Sequence, residues 1–173
     1  RFARYNQKTS QILLSHDVLT YPESRENVLN TFNELLKWKV IPVVNENDTV
    51  AVDEMDHQTS FGDNDWLSAV VASGIDADLL IVLSDIDGLF DKNPKKYTDA
   101  NLISEVTEIN EKITGAAGGT GSRFGTGGMA TKIKAMDRMI NEGRKAVLAN
   151  GKRPSIIFEI LNGKQIGTLF HKK

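Results

Sequence analysis

The chain has no cysteine. That excludes disulfides, thiolate zinc sites and a cysteine nucleophile, and it suits a reducing cytosol. Nor is there an apolar run near the roughly 20 residues a membrane-spanning helix needs. The longest, Leu79-Leu80-Ile81-Val82-Leu83, is strand length. A basic excess is missing too: Lys and Arg number 21 against 23 Asp and Glu, a net charge of -2. Composition therefore offers no nucleic-acid footprint. No signal peptide opens the chain. It begins without Met at Arg1-Phe2-Ala3-Arg4, in what reads as helix, and an upstream portion is expected to be missing. What is present suffices for one domain. A chain of 173 residues, 40% hydrophobic, can bury a core without staples or a metal. The expectation is one cytoplasmic domain over residues 1–173, with no nucleic-acid or membrane partner.

Residues 1–19 suggest helix, then a strand or turn at Ile12-Leu13-Leu14. Pro22-Glu23-Ser24 punctuates a helix with Ser24 as its N-cap, and Val28, Phe32, Leu35 and Leu36 recur at helical spacing up to Trp38. Val40-Ile41-Pro42-Val43-Val44 predicts a buried strand that stops at Asn45-Glu46-Asn47-Asp48. Residues 49–62 read as loop. Asp63-Asn64-Asp65 precedes a helix carrying Leu67, Val70 and Val71 and ending near Gly74. Asp78 to Leu83 is a second apolar strand, closed by Ser84-Asp85, and residues 86–99 are loop. Residues 103–113 show no decisive pattern. Met129, Ile133, Met136 and Ile140 mark a helix that ends at Gly143, and Ala146-Val147-Leu148-Ala149 is a third buried strand. The tail, residues 156–170, predicts a β-hairpin turning at Asn162-Gly163. Alternating strands and helices, with continuous apolar strands, predict an α/β domain on a mostly parallel sheet.

In such sheets ligands bind beyond the carboxyl ends of the strands. Three strand ends carry polar clusters: residues 45–48, Ser84-Asp85, and Asn150-Gly151-Lys152. Each can equally be a solvated cap or loop. Residues 115–128 hold seven glycines. Gly127-Gly128 precedes a helix start, where backbone N–H groups and the helix dipole face an anion, and Lys132 follows about one turn in. The segment is neither a Walker A loop nor a dinucleotide fingerprint, and a plain surface loop is the competing reading. Asp63-Asn64-Asp65 is either an N-cap box or a functional group of carboxylates and amide. His16, His57 and His171 have no ligand spacing. Trp38, Trp66 and the methionines of the last long helix read as packing.

Taken in order, these segments resemble the amino-acid kinase family, and within it the branch that phosphorylates glutamate. The matching stretches are Ile41-Pro42-Val43-Val44-Asn45-Glu46-Asn47-Asp48, Phe61-Gly62-Asp63-Asn64-Asp65-Trp66-Leu67-Ser68-Ala69, Ser84-Asp85-Ile86-Asp87-Gly88-Leu89-Phe90-Asp91-Lys92-Asn93-Pro94, Gly125-Thr126-Gly127-Gly128-Met129-Ala130-Thr131-Lys132 and Ile166-Gly167-Thr168-Leu169-Phe170. The resemblance implies a three-layer αβα sandwich with a mostly parallel central sheet. It implies transfer of phosphate from ATP, with magnesium, to the γ-carboxylate of L-glutamate, the first step toward proline. By motif, Asp48, Asn64, Asn47 and Asp63 take the glutamate-binding positions. Ser84, Asp85, Thr126, Gly127, Gly128, Met129, Ala130, Thr131 and Lys132 take the nucleotide positions. Lys132 lies on the transferring phosphoryl group, and Asp65 organises the catalytic lysines. No protein ligand to a metal is assigned.

The family's first strand, with its lysine and glycine-rich turn, has no counterpart here, so the domain is expected to be N-terminally incomplete. No RNA-binding-type PUA domain is expected within the chain. The resemblance also implies a homo-oligomer, dimer or tetramer, with proline as a feedback inhibitor acting near residues 49–62. Two rivals stand beside this reading: another family member acting on acetylglutamate, aspartate or uridylate, and a non-catalytic amino-acid-binding module.

Overall fold

The computed structural model describes residues 1–15, 18, 21–47, 49, 64–116 and 128–173. It divides into two compact units, Arg1–Leu67 and Ser68–Lys173. Among the described residues no helix is long and apolar enough to cross a membrane.

In the first unit the expected opening helix is a single 3-10 turn, Phe2–Tyr5. Strand β1, Thr9–Leu14, then starts earlier than its apolar residues indicate. Helix α1 spans Pro22–Lys37. Its N-cap is Tyr21 and not Ser24, because Pro22 takes the first helical position. A proline is pre-set for that position, where its missing N–H would have no partner in any case. The helix buries Phe32. It closes on Lys39, whose backbone is left-handed at φ 56°. Val40 N–H reaches the Leu35 carbonyl and Lys39 N–H that of Leu36, both at 2.9 Å. This is a Schellman closure built on a lysine.

Strand β2, Ile41–Glu46, pairs in parallel with β1 from Thr9↔Ile41 to Leu14↔Glu46. It runs on through Asn45 and Glu46, which the sequence reads as the strand's end. The expected burial is also corrected: Ile41 and Val43 are 40% and 48% exposed. Burial alternates along β2 as it does in a strand covered on one face. Trp38, read as packing, is 66% exposed.

The second unit continues helix α2, Asn64–Gly74, and adds β3 (Leu79–Ser84), β4 (Glu105–Val106), α3 (Glu111–Ala116), α4 (Met129–Asn141), β5 (Lys145–Asn150), α5 (Ile156–Leu161) and β6 (Thr168–Phe170). The sheet order is β3-β5-β6-β4. The β3/β5 and β4/β6 pairs are parallel and β5/β6 is antiparallel. Side chains alternate between two cores. Val82, Ala146, Leu148 and Phe170 pack with Ala69 and Ala72 of α2 and with Ile133, Met136, Met139 and Ile140 of α4. Val147 and Ala149 pack on the other face with Ile156 and Ile160 of α5. Helices on both faces make the unit three-layered, and this explains why β3 and β5 read as unbroken apolar runs. Met136 is fully buried, and truncating such a side chain to alanine costs about 2–5 kcal/mol.

The expected terminal hairpin is not formed. Residues 156–161 are helix α5, and Asn162-Gly163 is its cap. Gly163 adopts φ 81°, and Lys164 N–H bonds to the Glu159 carbonyl at 3.0 Å. An Asn-Gly pair supplies the left-handed residue that both a hairpin and a helix closure need. The apolar spacing upstream decides between them here. Gly167, at φ 71°, admits no side chain, since a Cβ there would collide with the Leu148 carbonyl oxygen.

Candidate active site

Strands β3 and β5 end together, with Ser84 beside Asn150 in parallel register. Gly151 N–H donates to the Ser84 carbonyl at 2.7 Å and ties the two strand ends. Asn150 bridges the loops that follow. Its Oδ1 accepts the Lys152 N–H at 2.9 Å, and its Nδ2 donates to Asp87 Oδ1 at 2.8 Å. Ser84 Oγ donates to Asp85 Oδ1 at 3.2 Å. Ser84 is half-buried, whereas Asp85 and Asp87 are exposed. This end of the sheet therefore offers carboxylates, a hydroxyl and an amide to solvent.

Helix α4 returns to the same end. It has 13 residues, about 20 Å of helix, and leads through Gly143 and Arg144 directly into β5, six residues or about 20 Å of strand. Its N-terminus therefore lies level with the strand's carboxyl end. Gly128 is the cap, at φ 102°, and gives no side-chain acceptor to the amides of the first turn. Thr131 Oγ1 donates instead to the Gly128 carbonyl at 3.2 Å. Lys132, half-buried, stands one turn in. A helix start of this kind, with a lysine beside it, suits an anion. Of the nucleotide positions, Ser84, Asp85, Gly128, Met129, Ala130, Thr131 and Lys132 thus share one end of the second unit. Thr126 and Gly127 lie outside the described residues.

The other predicted positions belong to the first unit. Asn47 follows β2, its N–H bonded to the Leu14 carbonyl at 2.8 Å and its Oδ1 accepting the Thr49 hydroxyl at 2.6 Å. Asn64 is exposed at the start of α2, and Asp65 is half-buried in that helix's first turn, where a carboxylate favours the helix dipole. Asp48 and Asp63, with residues 50–62 of the loop, His57 among them, and His16, lie outside the described residues. Among the described residues no group of three or more His, Cys, Asp or Glu side chains could hold a metal ion.

Two residues escape the sequence reading. Asp87 sits inside a quoted motif, but only the parallel register of β3 and β5 shows it facing Asn150. Thr168 had a visible signal, a lone hydroxyl in an apolar strand. His171, which has no ligand spacing in the sequence, is bonded to Glu105 Oε1 at 2.5 Å. That contact, and a lesser one to the Lys172 carbonyl, raise its pKa above the ordinary 6.5.

The family model described as "Amino acid kinase family" matches residues 2–150. The chain belongs to the amino acid kinase family. It is 97% identical over 173 residues to the glutamate 5-kinase of Ligilactobacillus salivarius, covering 100% of this chain and 65% of that protein. It is 59% identical over 172 residues to the glutamate 5-kinase of Enterococcus faecalis, covering 99% of this chain and 64% of that one. The chain thus spans about 65% of the length of the relatives it matches. Among solved structures, a UMP kinase from Bacillus anthracis superposes with a TM-score of 0.66 at 15% identity, over 99% of this chain and 61% of the other. At that identity the likeness concerns the α/β fold.

Proposed function

We propose that this protein transfers the γ-phosphoryl group of ATP to the γ-carboxylate of L-glutamate, giving glutamyl 5-phosphate for proline synthesis. The observation that carries this is 97% identity along the whole chain to a glutamate 5-kinase. The chemistry supports it. A γ-carboxylate has an unperturbed pKa of about 4.3 and is already ionised at neutral pH, so no general base is needed. A carboxylate oxygen attacks the γ-phosphorus, the bond to the bridging oxygen breaks, and ADP leaves. The obstacle is repulsion between an anion and a polyanion, so catalysis is positioning plus cationic stabilisation.

In this reading the α4 amides and Lys132 neutralise the phosphates, Ser84 and Asp85 contact the nucleotide, and Thr126 and Gly127 complete the second nucleotide segment. Magnesium bound with ATP would offset part of its charge. Asp48, Asn64, Asn47 and Asp63 receive the amino acid, and Asp65 orders the lysines. A cytoplasmic homo-oligomer, dimer or tetramer, with proline as feedback inhibitor, belongs to the same proposal.

The test supplies ATP with glutamate, aspartate, acetylglutamate or UMP and traps acyl phosphate with hydroxylamine. Glutamate alone is expected to give both ADP and hydroxamate. Transfer to UMP, or no transfer to glutamate, would overturn the reading. Asp48→Ala should raise the glutamate KM while leaving that for ATP in place. An equal loss for both substrates would make Asp48 structural.

A further inference from the structure

Thr168 is a polar residue at 0% exposure, the first residue of β6. Its hydroxyl is used twice. Oγ1 accepts the Leu89 N–H at 2.8 Å and donates to the Ile103 carbonyl at 2.6 Å. Leu89 and Ile103 form the neck of one excursion, the residues between β3 and β4. Ile103 N–H closes that neck on the Leu89 carbonyl at 2.8 Å, and Asp91 N–H reaches the Asn101 carbonyl at 3.0 Å. Gly88 presses on the same hydroxyl, for a Cβ there would come within 2.7 Å of Oγ1. Thus one buried oxygen joins three stretches of chain far apart in sequence.

Valine would fill this position without a hydroxyl to desolvate, so the oxygen contributes only through the two bonds it makes. Those bonds hold the root of a segment that leaves β3 at Ser84 and Asp85. A second tie, Asn150 to Asp87, holds it nearer the mouth. Between these ties the backbone from Asp87 to Leu89 has little freedom. We propose that Thr168 is a positioning residue for the nucleotide: its buried hydroxyl locks the neck of the 85–103 excursion and so holds Ser84 and Asp85 at the carboxyl end of β3. This rests on the phosphotransferase reading above.

The test compares Thr168→Val and Thr168→Ser with the unaltered protein in KM for ATP, KM for glutamate, kcat and Tm. Losing a hydrogen-bonded buried hydroxyl is expected to raise the KM for ATP about tenfold in Thr168→Val. The KM for glutamate should stay unchanged, and Thr168→Ser should restore ATP binding. A valine variant with lower Tm and kcat but an unchanged KM for ATP would overturn the proposal and leave the functional reading intact. Absence of glutamate phosphorylation by the unaltered protein would bring down both, and that assay tells the two failures apart. If the valine variant does not fold, amide exchange in the unaltered protein decides. A non-hydrolysable ATP analogue should slow exchange at Leu89 more than at Leu148, and equal slowing would overturn the proposal.

Discussion

The two ends of the β3–β5 pair are built differently. At the amino end, α2 and α4 both close in left-handed turns, at Asp76 with φ 59° and Gly143 with φ 72°. Arg144 spans the two closures. Its Nη2 donates to Asp76 Oδ1 at 2.6 Å and its Nη1 to the Ala77 carbonyl at 3.2 Å. Its Nε lies 3.5 Å from Glu142, an ion pair without hydrogen-bond geometry. The bond to Asp76, with the negative charges of Asp76 and Glu142 beside it, raises the pKa of this guanidinium further. Arg138 Nε adds a bond to Ser73 Oγ at 3.0 Å. At the carboxyl end, Ser84 bonds to Asp85, Asn150 ties Lys152 to Asp87 across the two loops, and the carboxylates of Asp85 and Asp87 stay exposed. One end turns its polar groups on itself and gains stability. The other leaves them facing outward, where a ligand can use them.

This division can be broken or sharpened by substitution. The largest effect is expected at Gly167, a backbone constraint at the carboxyl end of β5. Gly167→Ala combines a strained φ with a collision on Leu148 and should lose at least about 3 kcal/mol of unfolding free energy. Thermal denaturation reads this as a fall of about 6 °C or more. An unchanged Tm would show that the strand yields there. Next, Lys132→Ala should lower turnover by about 10²-fold or more, as loss of one transition-state cation does, with little change in Tm. Turnover within about threefold of normal would remove Lys132 from the mechanism.

At the opposite end, Arg144→Ala should cost about 1–2 kcal/mol in denaturant unfolding, discounted for the exposure of Asp76, while both KM values hold. A shifted KM for ATP would mean that the ends are coupled. The smallest effect is at His171→Gln. Because folding raises the histidine's pKa, its bond to Glu105 stabilises fully below pH about 6.5 and is lost as pH rises through the folded-state value. The Tm deficit of the variant should therefore be about 1 °C in mild acid and vanish in alkali. A deficit that grew with pH would reverse the assignment.

Much of this fold is legible in the order of the residues. The helix at Met129–Asn141 follows from Met129, Ile133, Met136 and Ile140, since one face of a helix must meet the core. The runs at 79–83 and 146–149 became β3 and β5 because both faces of that sheet are covered. The run at 40–44 looks the same, yet β2 has an exposed face, and composition alone does not distinguish the two. Asn162-Gly163 failed for a related reason: one pair of residues serves two closures, and what lies upstream selects between them. The strand-end clusters were visible as polar punctuation. That Asn150 meets Asp87, 63 residues away in sequence, was not.

Periodicity and motif by themselves determined the three long helices, the apolar strands at 40–44, 79–83 and 146–149 in their order, and membership of the amino acid kinase family. These depend on neighbours within a turn or a strand, which the linear chain already contains. Tertiary structure alone decided that Arg144 closes two helices, that Thr168 is sealed against Leu89 and Ile103, and which strand ends lie side by side. Those depend on contacts across many tens of residues, whose geometry exists only once parallel register has been set.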